Sequence, residues 1–227
     1  MPRNKYPEET VQKILETSLK LFTEKGYEQT TVLDIVANLG GLTRGAFYHH
    51  FKSKEEVLMA IFAENDGENH PFEQAQNAKV ANGLERVKLA LTNALKANIQ
   101  DEKQTAISHL AVSFLSNLSN PRLLAEKIKG DMETATILAP FIQEGMEDGS
   151  IKPGNSKLLA ELFMVLCNFW MMPTIFPCTP EEVVTKTLMV AEILEHLGMP
   201  VMDVEMGSVY NDVLDTLLDI QLPDWEE

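Results

Sequence analysis

"TTVLDIVANLGGLTRGAFYHHFKSKEE", residues 30–56, decides the fold of this 227-residue chain. Thr31 with Asp34 three residues on is the signature of a capped helix start, and Ile35 and Val36 carry that helix toward the adjacent glycines Gly40 and Gly41. Thr43 is placed to cap the next helix, where Phe47 and Phe51 fall on one face at i and i+4 and leave Arg44, Tyr48 and His49 on other faces. Ser53 with Glu56 reads as one more capping box, opening a helix whose apolar face is Val57, Leu58, Ile61 and Phe62. Upstream, Val11, Ile14, Leu15, Leu19 and Phe22 recur at helical spacing before Gly26, which predicts a first helix over about residues 8–25. A short helix, a glycine-containing turn and a second short helix bearing exposed polar and aromatic side chains form a helix-turn-helix, an arrangement that lays its second helix in the DNA major groove.

Charge is distributed unevenly. The chain carries a formal net charge of −15, with 19 Lys/Arg against 34 Asp/Glu. Residues 1–55 hold eight of the basic and seven of the acidic residues, so 11 basic and 27 acidic residues lie beyond them. A near-neutral head can approach a polyanion, whereas the acidic body is repelled by one. The expected division is therefore 1–55 for the DNA-binding domain and 56–227 for an effector-binding and dimerisation domain, with an acidic final helix within 203–227. No uninterrupted apolar run of about 18 residues and no secretory signal appears, so a cytoplasmic address is expected. Cys167 and Cys178 are too few for a disulfide framework and lack the spacing of a metal knuckle.

Two stretches, "LFTEKGYEQTTVLDIV" (residues 21–36) and "GLTRGAFYHHFKSKEEVL" (residues 41–58), make the chain resemble the tetracycline-repressor-like (TetR) family over about residues 10–60. Beyond them the likeness is architectural: an all-helical body with an "EGMEDGSI" step before its last helices. The resemblance implies an all-α fold with an N-terminal three-helix helix-turn-helix domain and a helical ligand-binding and dimerisation domain. It implies a repressor that binds an inverted-repeat operator as a homodimer and is released when a small-molecule effector tilts the fourth helix. It carries the DNA-contact role onto Thr31, Thr43, Arg44, Ala46, Tyr48, His49, His50 and Lys54. Family members typically place one glycine before the "LT" or "VS" that opens the recognition helix. This chain is one residue longer between Thr31 and Thr43, and a glycine absorbs such an insertion by taking a positive φ.

The residues support those roles chemically. Gly45 lets the helix backbone approach DNA closely, and the Ala46 methyl suits a thymine methyl. Arg44 can fork onto guanine O6/N7 or a phosphate. Tyr48 and His49 can donate to phosphate oxygens, and Lys54 stands at a helix N-terminus, where ammonium and free N–H groups both attract phosphate. As metal ligands His49 and His50 are poorly arranged: i and i+1 point to different faces, and the next turn offers Ser53 and Lys54 rather than further ligands.

In the body, amphipathic helices are expected over about 83–99 and 102–118. Asn120-Pro121 opens a long segment that Pro140 bends, and further helices are expected over about 157–172, started by Ser156, and 180–197, started by Thr179-Pro180-Glu181-Glu182. The last two carry apolar residues around much of their circumference: Leu158, Leu162, Phe163, Leu166, Phe169 and Trp170 on one, and Val183, Val184, Leu188, Ala191, Leu194 and Leu197 on the other. Two such helices contributed twice make a four-helix bundle across a twofold axis, the homodimer interface that the resemblance implies. Candidate effector contacts are His109, Phe114, Asn117, Met132, Asn168 and Trp170; adaptable methionine and aromatic side chains suit an apolar effector, and the acidic surplus favours one that is neutral or cationic. The five scattered histidines and the lack of a nucleotide, metal or acyl-transfer motif argue against an enzyme, and no cofactor is implied. The rival reading is a helical adaptor that has lost DNA binding.

Overall fold

The computed structural model describes residues 7–64, 71–117, 121–173 and 175–218, and within them the chain forms eleven helices and no strand. It divides into two compact units, Met1–Glu68 and Asn69–Glu227. The first contains α1 (Pro7–Lys25), α2 (Val32–Asn38), α3 (Arg44–His50) and α4 (Lys54–Glu64). The division therefore falls beyond residue 55, and the reason is packing. Val57, Leu58 and Ile61 of α4 are buried with Ile14, Leu15, Leu19 and Phe22 of α1, so α4 completes the head's core. Ile35, Leu39, Phe47 and Phe51 fill the rest of that core.

Local chemistry sets the helix starts. Thr31 caps α2 through a reciprocal box in which its side chain accepts from the Asp34 N–H and its own N–H donates to the Asp34 carboxylate at 2.8 Å. Thr43 Oγ1 accepts from the Ala46 N–H at 3.2 Å and starts α3. Before α4, Ser53 Oγ accepts the Glu56 N–H at 3.2 Å, but the Glu56 carboxylate reaches back to the Lys52 N–H, one residue earlier than a capping box requires. Between α2 and α3, Gly40 (φ 60°) and Gly41 (φ 103°) both occupy positive φ. The turn thus places at both positive-φ positions residues that carry no Cβ penalty there.

The second unit contains α5 (Pro71–Asn77), α6 (Gly83–Ala97), α7 (Glu102–Asn117), α8 (Pro121–Asp148), α9 (Ser156–Val165), α10 (Pro180–His196) and α11 (Val204–Leu218). Helix α5 was not expected, because the punctuation "NDGENHP" reads as loop; Arg86 holds the segment by donating from Nη1 to the Ala75, Gln76 and Ala78 carbonyls at 2.6–3.1 Å and from Nε to Glu144 at 2.8 Å. The proposed Asn120 cap lies outside the described residues. Helix α8 continues through Pro140 to Asp148. Helix α9 is capped by Asn155, whose Oδ1 accepts the Leu158 N–H at 3.1 Å, and Ser156 is its first residue rather than its cap. It does not run on as an α-helix to residue 172: Leu166–Trp170 form a π-helical turn. Thr179 and Glu182 make the expected capping box of α10.

The body's core joins Val87, Ala90 and Leu91 of α6 to Leu138, Phe141 and Ile142 of α8, with Phe163, Val190, Leu194, Tyr210 and Leu214 from later helices. At the α6–α8 crossing the Gly83 N–H donates to Asp148 Oδ2 at 2.6 Å and the Leu84 N–H to Ser150 Oγ at 3.0 Å. A side chain at Gly83 would collide with the Gly145 backbone, so the absence of Cβ sets how closely these helices approach. No helix among the described residues is long and apolar enough to cross a membrane.

Candidate nucleic-acid interface

The outward face of the head is held from beneath. Phe47 is wholly buried and Phe51 nearly so, their rings 6.2 Å apart, which orients α3 with its opposite side in solvent. On that side Thr43, Arg44, Gly45, Tyr48 and His49 are exposed, Ala46 and His50 are half-buried, and Tyr48 leaves 43% of its surface free. The Arg44 guanidinium lies 5.4 Å from the Tyr48 ring centroid, and the His49 and His50 rings meet edge to face at 5.2 Å. Cation–π contact restrains the Arg44 fork without using its N–H donors, which stay available to a base edge or a phosphate. Among the described residues no group of three or more His, Cys, Asp or Glu side chains is arranged to hold a metal ion.

Two expected contacts carry internal duties. The exposed Thr31 hydroxyl donates to Asp34 Oδ2 at 2.7 Å while capping α2. Lys54 donates to the Tyr27 carbonyl at 2.7 Å and to the Glu28 carbonyl at 3.3 Å, with its ammonium 4.1 Å from the Tyr27 ring centroid. It therefore ties the start of α4 to the loop that follows α1.

Sequence reasoning missed the partners behind this face. Lys25 closes an ion pair with Asp34 at 2.8 Å, linking the end of α1 to the first turn of α2. Lys25, Thr31 and the Thr31 N–H together hold the Asp34 carboxyl well below the usual carboxylate range. Burial, reinforced by Glu55 and Glu28, pushes the Tyr27 phenol up to about 12. Tyr27 also packs edge to face on Phe22 at 5.0 Å. Its position after Gly26 was visible in the sequence; its role depends on residue 54, which no local pattern connects to it. Thr30, fully buried, donates to the Leu21 and Gly26 carbonyls at 3.2 and 2.8 Å and secures the same loop.

The expected effector contacts are dispersed. Asn168 sits on the π-helical turn and donates to Asp131 Oδ1 at 2.9 Å. Trp170, on the same turn, is half-buried with the Lys186 ammonium 5.7 Å from its ring centroid. His109 is half-buried on α7. Met132 is 61% exposed on α8, whereas the side chain of its neighbour Asp131 keeps 13% of its exposure. The side chains of Phe114 and Asn117 lie outside the described residues.

The described residues are all-helical, and the N-terminal unit presents a helix-turn-helix with an exposed second helix, the arrangement of a DNA-binding transcription regulator. Residues 14–61 match the family model described as "Bacterial regulatory proteins, tetR family". The fatty acid metabolism regulator protein of Bacillus subtilis is similar at 27% identity over 147 residues, 65% of this chain and 73% of that protein. The HTH-type transcriptional regulator SrpR of Pseudomonas putida is 44% identical over 66 residues, a match that spans 29% of each chain. The crystal structure of a TetR-family transcriptional regulator from Pectobacterium atrosepticum shares the fold, with a TM-score of 0.59 at 21% identity over 86% of this chain and 97% of that one. Residues 14–61 thus carry the helix-turn-helix region of the TetR-family regulators.

Proposed function

We propose that the chain is a repressor that binds an inverted-repeat operator as a homodimer through α3 and is released by a small-molecule effector taken up in the body. The observation that carries this reading is the exposed face of α3, where Arg44, Tyr48 and His49 surround the small residues Gly45 and Ala46 above a buried Phe47. Arg44 reads a base edge; Thr43, Tyr48, His49 and His50 contact phosphate or sugar; Gly45 and Ala46 permit close approach; Thr31 and Lys54 add backbone contacts at the edges. The boundaries of function follow the same division, with DNA contact in the head and effector and partner contact in the body.

The homodimer reading rests on α9 and α10. Leu158, Leu162 and Val165 of α9 are exposed, as are Leu188, Met189, Ile193 and Leu197 of α10, while Phe163, Val183, Val190 and Leu194 on their inner sides are buried. An apolar set of this size on two helices marks an association surface, and a second copy of the same pair closes it as a four-helix bundle. Regulation then requires only that the effector prefer the conformation unable to hold the operator, with a coupling of about 1–3 kcal/mol.

The test is a mobility-shift titration of the full chain on DNA from its own upstream region, repeated over a range of salt. Each phosphate contact contributes a slope of about 0.9 in log affinity against log salt. Tyr48→Ala is expected to weaken binding on most sequences, whereas Arg44→Ala also relaxes base preference. Equal affinity for the parent and both variants, at every salt concentration, would sink the assignment and favour an adaptor without DNA binding.

A further inference from the structure

The π-helical turn Leu166–Trp170 gathers charged side chains from α8 and α10 onto consecutive residues. Asn168 donates to Asp131 Oδ1, and the Lys127 ammonium, one turn earlier on α8, closes on both oxygens of the same carboxylate at 2.8 and 2.7 Å. That ammonium also lies 5.7 Å from the centroid of Phe169. Beyond it, Lys186 of α10 stands 5.7 Å from the rings of both Trp170 and Phe176. The Asp131 side chain keeps 13% of its exposure and Lys127 keeps 30%, so the carboxylate is the inner partner and the lysine reaches it from the solvent side.

A solvent-facing Lys–Asp pair at i,i+4 adds little to helix stability and needs no other support. This pair differs on two counts. Its carboxylate is desolvated, which burial reflects by raising the Asp131 carboxyl above its ordinary value, so it demands a cation. It is also met by an amide and an aromatic ring delivered by a π-helical turn, a local departure from α geometry that occurs preferentially at functional sites. A carboxylate that an amide N–H holds in place, with an aromatic face beside it, makes the recognition set for an ammonium group, and Lys127 shows that the point accepts one.

Building on the effector-released reading, we infer that this turn is the effector's anchoring point and that the effector is an apolar molecule bearing an amine, whose ammonium takes the place of Lys127 at Asp131 and over Phe169. Lys127 is the tethered stand-in. Its long stem can swing back into solvent at small cost, and the incoming molecule's apolar body supplies the binding that a tethered lysine lacks. A neutral head group leaves Asp131 to its lysine, and a carboxylate is repelled.

The experiment titrates the full chain by calorimetry with 4-phenylbutylamine, 4-phenylbutanol and 4-phenylbutyrate, which share one apolar body and differ in head group. The amine is expected to bind at least about tenfold more tightly than the alcohol and the carboxylate to show no binding, a factor corresponding to about 1.4 kcal/mol. Lys127→Met removes the competitor and is expected to raise amine affinity several-fold, while Asp131→Asn, checked for retained helical circular dichroism, brings amine and alcohol level. Asn168→Ala should weaken the amine alone. Alcohol or carboxylate binding as tight as the amine, no gain from Lys127→Met, or no amine binding to that variant each overturns the inference. The titration needs no DNA. Release of the operator by the alcohol or carboxylate would therefore preserve the effector-released reading and remove only the amine, whereas amine binding without any operator binding would remove the repressor reading and keep the site.

Discussion

Replacing Lys54 by methionine keeps most of the stem and removes the ammonium that joins α4 to the α1–α2 loop. The side chain makes one short bond to the Tyr27 carbonyl at 2.7 Å, a longer one to the Glu28 carbonyl at 3.3 Å, and a cation–π contact at 4.1 Å. A charged hydrogen bond contributes about 1.5–3 kcal/mol when shielded, and half-exposure here reduces the short bond to about 1 kcal/mol and the long one to less. The cation–π contact adds about 0.5–1 kcal/mol. A loss of about 2 kcal/mol is therefore expected, and in a unit of 68 residues it lowers the melting temperature by about 10 °C. Calorimetry should show that shift, and hydrogen exchange should show faster opening across residues 26–31. Operator titrations separate the clamp from DNA contact: a lysine that also meets a phosphate lowers the salt slope by about 0.9 per subunit on removal. Unchanged melting, within about 0.5 kcal/mol, together with unchanged exchange would refute the clamp.

Three further outcomes are expected. Gly83→Ala on α6 forces a methyl into the Gly145 backbone and within 2.7 Å of the Glu144 carbonyl carbon, and overpacking against rigid backbone costs about 3 kcal/mol; Gly130→Ala, with open space around it on the long helix α8, should instead stabilise by about 0.5–1 kcal/mol. Urea midpoints of the two variants should move in opposite directions. In the turn before α3, Gly40→Asn should be tolerated because φ 60° is left-handed helical space that asparagine enters, whereas Gly41→Asn at φ 103° should destabilise by about 1–2 kcal/mol and weaken operator binding. Stability should also fall with acid through Asp34: its folded-state pKa lies below its unfolded value, so its contribution is complete above the ordinary carboxylate range and is lost as pH drops below about 4. Asp34→Asn should flatten that limb of the urea midpoint against pH, and an unchanged limb would count against the Lys25–Asp34 link.

Much of the head was legible because its signals are local. Thr31 and Asp34 lie three residues apart, Thr43 caps the helix that it starts, and Phe47 and Phe51 share a face at one helical turn. Helix α4 was recognised as a helix and read with the body, whereas it lies in the first compact unit. Its apolar face says that it is buried but not against what, and the answer comes from α1 some forty residues away. Lys54 likewise read as a free cation at a helix start, because its partners Tyr27 and Glu28 are distant in sequence. The ligand candidates were least legible: Asn168 was named, but its partner Asp131, and the Lys127 that shares that carboxylate, were not.

The sequence by itself determined the all-helical class, the helix-turn-helix, the caps and the apolar stripes, since each depends on residues within about one or two helical turns. Only the tertiary structure decided where the units divide, that α9 gives way to a π-helical turn, and which charges face inward. The physical reason is that burial and ion pairing are properties of meetings between elements. A lysine reads as solvated until the fold sets a carbonyl, a ring or a desolvated carboxylate against it.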